Sequence, residues 1–148
     1  MRREPSLRER ALRLLARREH SRAELSRKLQ PHAGAGDDLE ALLGDLAQRK
    51  LLSDARYAES RTRQLSRKFG AARIVHELRA SGIDKELASV ASKAIRETEI
   101  ARAREVWRRK FRAAPATREE RAKQMRFLQS RGFSFDAIRA AIGGGEDD

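Results

Sequence analysis

The chain has 148 residues, of which 38% are charged and only 5% aromatic, with a formal net charge of +12 and no cysteine. The missing cysteine excludes disulfides, thiolate metal sites and thiol nucleophiles, and the scarcity of aromatic residues suits thin helix-on-helix packing better than one thick core. The excess of positive charge predicts a polyanionic partner, while the periodic spacing of the apolar residues argues against disorder.

Leu7, Ala11, Leu14 and Leu15 fall on one stripe and predict a first helix ending near Glu19 and His20. Ser21 followed by Glu24 reads as a capping box, each side chain serving a free backbone amide at the helix start. It opens a short helix carrying Leu25 and Leu29, broken by Pro31, Gly34 and Gly36. A third helix is expected from about Asp37, with Asp37 or Asp38 as its cap and Leu39, Leu42, Leu43 and Leu46 on one face.

The plan then recurs. From Ser53 and Asp54 a helix is expected to carry Tyr57, Ala58, Leu65 and Phe69 and to stop at Gly70. A second helix holds Ile74, Val75 and Leu78 and stops at Ser81-Gly82. Asp84 caps a third, whose inward face is expected to be Leu87, Val90, Ala91, Ala94 and Ile95. A last round begins near Ile100, with Ala103, Val106, Trp107 and Phe111 on a basic helix ending before Pro115. Thr117 and Glu120 form another capping box for a helix with Met125, Phe127 and Leu128, which ends at Arg131-Gly132. Phe133 leads into a terminal helix capped by Ser134, with Ala137, Ile138, Ala141 and Ile142.

Leu29, Leu78 and Leu128 stand at matching positions, and helix, short helix, cap and helix follow in the same order each time. The fold class read from this is all-α, an elongated tandem array of three three-helix repeats: 1–52, 53–97 and 98–142, with an acidic tail, 143–148, expected to be disordered. Because so short a unit has difficulty burying its own apolar faces, neighbouring repeats are expected to share cores.

Charge follows the repeat. Segments 1–30, 55–80 and 101–131 carry +6, +5 and +8, whereas 31–54, 81–100 and 132–148 carry −3, −1 and −3. Helix solvation explains many arginines and lysines but not their segregation, so a basic strip along one side is expected. Its candidate partner- and nucleic-acid-binding residues are Arg61, Arg63, Arg67, Lys68, Arg73, Arg79, Arg108, Arg109, Lys110 and Arg112.

Catalytic constellations are missing from the pattern. His20, His32 and His76 do not pair at helical spacing, so each reads as a satisfied or solvent-facing ring. Asp37, Asp54, Asp84 and Glu120 sit where helix starts want acids. Gly143-Gly144-Gly145 is not followed by the lysine and hydroxyl residue of a phosphate loop. Tyr57 and Trp107 fall on apolar stripes and are expected in the core. No enzyme activity, metal or cofactor is expected. No apolar run approaches the roughly 18 to 20 residues of a membrane span, and Met1-Arg2-Arg3-Glu4-Pro5 is not followed by a signal core. A cytoplasmic protein without a membrane partner is the expectation, and Glu4, Glu9, Glu19 and Glu24 speak against an acid-poor transit peptide.

Several stretches carry a resemblance. They are Ala11-Leu12-Arg13-Leu14-Leu15-Ala16-Arg17-Arg18-Glu19-His20-Ser21 with Glu24-Leu25 and Leu29, and Leu51-Leu52-Ser53-Asp54-Ala55-Arg56-Tyr57-Ala58. Gly70 with Arg73-Ile74, Glu77-Leu78 and Ser81-Gly82-Ile83 follow, then Phe127-Leu128 and Arg131-Gly132-Phe133 with Ile138. In this order and spacing the chain resembles the RecX regulators of the RecA recombinase. The resemblance implies a monomeric, non-catalytic protein that lodges in the groove of a RecA filament on DNA, inhibiting RecA and damping recombination and the SOS response. Salt-sensitive binding to single- and double-stranded DNA is expected beside it. The segment Gln30-Pro31-His32-Ala33-Gly34-Ala35-Gly36 departs from the family's tighter glycine-centred turn. The rival readings are a helix-turn-helix module that binds DNA directly, which would need a helix rich in base-reading side chains, and an RNA- or ribosome-associated basic protein.

Overall fold

The computed structural model describes residues 3–143, all helix and turn. The order is α1 (Leu7–Arg17), α2 (Arg22–Leu29), α3 (Leu39–Gln48), α4 (Asp54–Leu65), α5 (Ala71–Ala80), α6 (Lys85–Arg96), α7 (Glu99–Lys110), α8 (Arg118–Ser130) and α9 (Phe135–Ile142), with a 3-10 turn, Gln30–His32, after α2. The starts are set by side-chain caps. Ser21, Asp38, Ser53, Asp84, Thr117 and Ser134 each accept from the amide three residues on, at 2.8–3.2 Å. The segment departing from the family turn is itself ordered locally: Asp37 Oδ2 accepts from Gly34 N at 2.8 Å.

Extensive helix-on-helix contact lies within the trios α1–α3, α4–α6 and α7–α9. Each trio has its own core: Leu7, Ala11, Leu25, Leu29, Leu43, Leu46 and Leu52 in the first, Tyr57, Ala58, Leu65, Ile74, Leu78, Ile83 and Ala88 in the second, and Ala103, Val106, Leu128, Phe133, Ile138, Ala141 and Ile142 in the third. The expectation of shared cores is therefore corrected. Three short helices do bury their faces here, because the turn after the second helix folds back under it through Ile83 in the second unit and Phe133 in the third, while Leu52, after α3, closes the first. The surface area agrees: 10318 Å² is well above the about 7,700 Å² of a compact monomer of this mass, as a tandem array requires.

Three local expectations also change. Phe69 lies beyond α4, which ends at Leu65, and its ring is half-buried in the following turn. In α6, Val90 and Ala94 face solvent, and the buried positions are Ala88 and Ser92. The capping boxes are half-formed: Glu24 turns away to bind Arg18 at 2.7 and 3.0 Å, and Glu120 reaches Ala116 N at 2.7 Å instead of the cap residue.

Polar contacts join the units, and the two seams repeat one design. Ser21 Oγ donates to the Ser81 carbonyl at 2.7 Å in the first, and Gly70 N donates to the Arg131 carbonyl at 2.8 Å in the second. Asp54, the first residue of α4, does not cap its own helix; its carboxylate accepts from Arg22 N, the first amide of α2, at 2.7 Å. Glu99, the first residue of α7, does the same for Ala71 N of α5 at 2.7 Å. The acid opening the second and the third unit thus neutralises the positive end of a helix in the unit before it. These bonds hold neighbouring units together.

Gly44 lies inside α3 with open space where a Cβ would stand. Gly44→Ala is expected to stabilise the chain by about 1 kcal/mol, seen as a higher urea midpoint. A lower midpoint would contradict the packing of α3.

Candidate functional site

The second seam gathers cations from three elements. Arg67 and Lys68 stand exposed in the turn after α4. Arg102, Val106 and Arg109 recur along one face of α7, with Lys110 beside them, and Arg131 comes from the turn between α8 and α9. Arg67, Lys68, Val106, Arg109, Lys110, Phe127 and Arg131 line a hollow of about 260 Å³. A second hollow of about 210 Å³ shares Arg67 and Arg109 and adds Ser66, Arg102 and Glu105. Among the described residues, Arg67, Lys68, Lys110 and Arg131 have no carboxylate partner, and Arg109 has only Glu105 at 4.0 Å. Unpaired cations held this close repel one another and raise the local potential, so the site favours an incoming anion.

Aromatic rings hold the cations in place. The Arg73 guanidinium lies 5.1 Å from the Phe69 ring centre, Arg131 lies 5.5 Å from Phe69 and 5.1 Å from Phe127, and Lys110 lies 5.5 Å from Phe127. Phe111 meets Phe127 edge-on at 5.5 Å. Each cation–ring contact contributes on the order of 0.5–1 kcal/mol at an exposed site, while leaving hydrogen-bond donors free. Beneath them Arg102 is a structural tie. It donates to the carbonyls of Phe69 and Ile95 at 2.7 Å and of Ser66 at 3.2 Å, joining α7 to the ends of α4 and α6. Burial lowers its pKa from the ordinary arginine value, opposed by Glu99.

The sequence candidates divide accordingly. Arg67, Lys68, Arg109 and Lys110 come together. Arg73 borders them, paired with Glu77 at 3.3 Å. Arg61 lies at the first seam, in a hollow of about 300 Å³ with Arg18, Glu24, Tyr57 and Ser81. Arg63 lies on the other flank of α4, paired with Glu59 at 3.0 Å, beside an apolar groove with Val90 and Ala94. Arg79 donates to the Ile83 carbonyl at 3.1 Å, and Arg108 and Arg112 are exposed outside both hollows of the second seam. Sequence reasoning missed Arg131, Arg102, and the part Phe69 and Phe127 play as platforms. Arg131 was legible as the repeat position of Ser81; nothing in a charge count distinguishes Arg102.

Tyr57 is buried, its hydroxyl donating to Ser81 Oγ at 3.0 Å, and Trp107 Nε1 donates to Gln124 Oε1 at 2.7 Å, so neither ring is presented for stacking. Among the described residues no group of acids and histidines is arranged to hold a metal ion. No helix there is long and apolar enough to cross a membrane.

His20 is buried between two fixed partners. Nδ1 donates to the Arg18 carbonyl at 3.1 Å and Nε2 accepts from Lys28 Nζ at 3.2 Å, an arrangement for the neutral ring. Burial holds its pKa below the ordinary 6.5, with Arg18 and Lys28 adding repulsion against the opposing pull of the Arg18 carbonyl and Glu24. The unfolded chain therefore takes up a proton more readily, and stability present above pH 6.5 is lost as pH falls below it. Between about pH 7.5 and about pH 5.5 the melting temperature is expected to fall, and in His20→Gln it should fall less. Parallel slopes for the two proteins would contradict this.

Family models described as the first, second and third three-helix domains of RecX match residues 8–32, 53–91 and 97–142. The chain belongs to the RecX family. The regulatory protein RecX of Leptothrix cholodnii is 51% identical over 137 residues, spanning 93% of this chain and 87% of that protein. That of Herminiimonas arsenicoxydans is 48% identical over 143 residues, spanning 97% and 95%. The crystal structure of RecX from Lactobacillus salivarius superposes with a TM-score of 0.77 at 24% identity, over 92% of both chains, and so supports the fold. The RecX fold is thus all-helical here, three three-helix domains in tandem.

Proposed function

We propose that this RecX-family chain acts as a monomer in the cytoplasm, seating in the groove of a RecA filament on DNA and inhibiting the recombinase without chemistry of its own. Occupancy alone accounts for the effect: a body of three units held at fixed angles touches several protomers at once, and modest contacts on one rigid frame add to a slow release. Recombination and the SOS response are damped as a consequence.

The observation that carries this reading is the set of unpaired cations at the second seam, in a family whose named members are regulatory proteins. Arg67, Lys68, Arg109, Lys110 and Arg131 form its centre, and Arg73 borders it. Binding to bare single- or double-stranded DNA is weak and salt-sensitive in this account.

The test is the DNA-dependent ATPase of RecA on single-stranded DNA, titrated with the chain. The expected result is a fall in rate that saturates with added protein. An ATPase and a strand-exchange yield untouched at saturation would overturn the proposal.

A further inference from the structure

The hollow at the second seam has a floor that its charge does not explain. Val106 and Phe127 lie among Arg67, Lys68, Arg109, Lys110 and Arg131. The phosphates of a nucleic-acid backbone gain nothing from resting on valine and a phenyl ring. A nucleobase would gain from an open aromatic face, but Phe127 is already engaged by Arg131, Lys110 and the edge of Phe111, and Phe69 by Arg73 and Arg131. An aliphatic side chain uses what is left. About 260 Å³ of space admits one, it is desolvated against carbon, and acids on either side of it reach the cations. Glu105, 4.0 Å from Arg109, is the only carboxylate near enough to compete among the described residues.

We infer that this hollow docks a protein segment in which an aliphatic side chain is flanked by carboxylates, so that the seam reads the protein of the filament and not its DNA. The inference rests on taking the seam as the filament contact, as proposed above. Charge complementarity selects the acids and the apolar floor selects the residue between them.

The probe is a fluorescent peptide with aspartates around one leucine, titrated with the full chain at about 0.15 M salt, where distant charges are screened. A second peptide carries serine for the leucine, and an oligothymidylate of equal charge serves as competitor. The leucine peptide is expected to bind at least about tenfold more tightly than the serine peptide, and to lose that affinity in Lys68→Ala/Lys110→Ala. Val106→Thr keeps the shape of the floor while making it polar, and should erase the leucine preference with helix content unchanged by circular dichroism. Equal affinities for the two peptides, or displacement by the oligothymidylate through the same lysines, would overturn the inference. The RecA ATPase separates the two claims. Inhibition of RecA without a leucine preference removes only the docking assignment, and a leucine preference without any effect on RecA removes the functional reading while the docking site stands.

Discussion

Gly70→Ala is expected to break the second seam. Gly70 has φ −81° and ψ 171°, a conformation open to any residue, so alanine introduces no backbone strain of its own. The obstacle is across the seam: a Cβ there would stand 2.4 Å from the Gly132 carbonyl oxygen and 2.6 Å from Phe133 Cα, both backbone atoms. Room is made only if the α8–α9 turn retreats, and that breaks the Gly70 N bond to the Arg131 carbonyl and strains the cap from Glu99 to Ala71. Overpacking and the lost bonds together amount to about 3 kcal/mol. Hydrogen exchange should show faster exchange around 70–74 and 131–134 with α1–α3 unaffected, and RecA inhibition should fall with it, since Arg131 leaves the cluster. Gly36→Ala, where a Cβ meets open space, is the matched control. Exchange profiles that coincide for the two variants would show that the seam does not depend on this approach.

Reversing Arg67, Lys68 and Arg109 together to glutamate is expected to abolish inhibition of RecA at concentrations where the unaltered chain saturates. None of the three supports the fold: Arg67 and Lys68 have no carboxylate partner among the described residues, and Arg109 has one weak, exposed one. Helix content should therefore be retained. Each reversal replaces attraction by repulsion at a contact, and three of them on about 1 kcal/mol apiece weaken binding by about 100-fold or more. Arg63→Glu has the same sign of charge change but lies on the far flank of α4, beside Val90 and Ala94, and should leave inhibition intact. Equal loss in both proteins would mean that net charge matters and its placement does not.

Most of the fold was legible because it is written in local signals. Ser21, Asp38, Ser53, Asp84, Thr117 and Ser134 cap the helices they were expected to open, and Gly82 and Gly132 close the second helices of their units with φ of 85° and 86°. What spacing could not reveal is what happens between units. Asp54 looks like a cap of α4 in the sequence, and only the fold shows that its carboxylate serves α2. Likewise Val90 fits the apolar stripe of α6, yet the bundle closes on Ala88 and Ser92, one face-width away. The charge pattern marked 1–30, 55–80 and 101–131 as basic but could not separate Arg67 from Arg63, because a face is fixed by packing and not by composition. Phe127 joins the cluster through tertiary contact alone.

The central claim, that the second seam faces a recombinase filament, is tested most directly by electron cryo-microscopy of RecA on single-stranded DNA saturated with this chain. The account predicts density for three helical units following the groove, with the turn after α4 and the turn between α8 and α9 turned toward RecA. Filaments without added density, or units bound with α6 inward and the cations facing solvent, would contradict it.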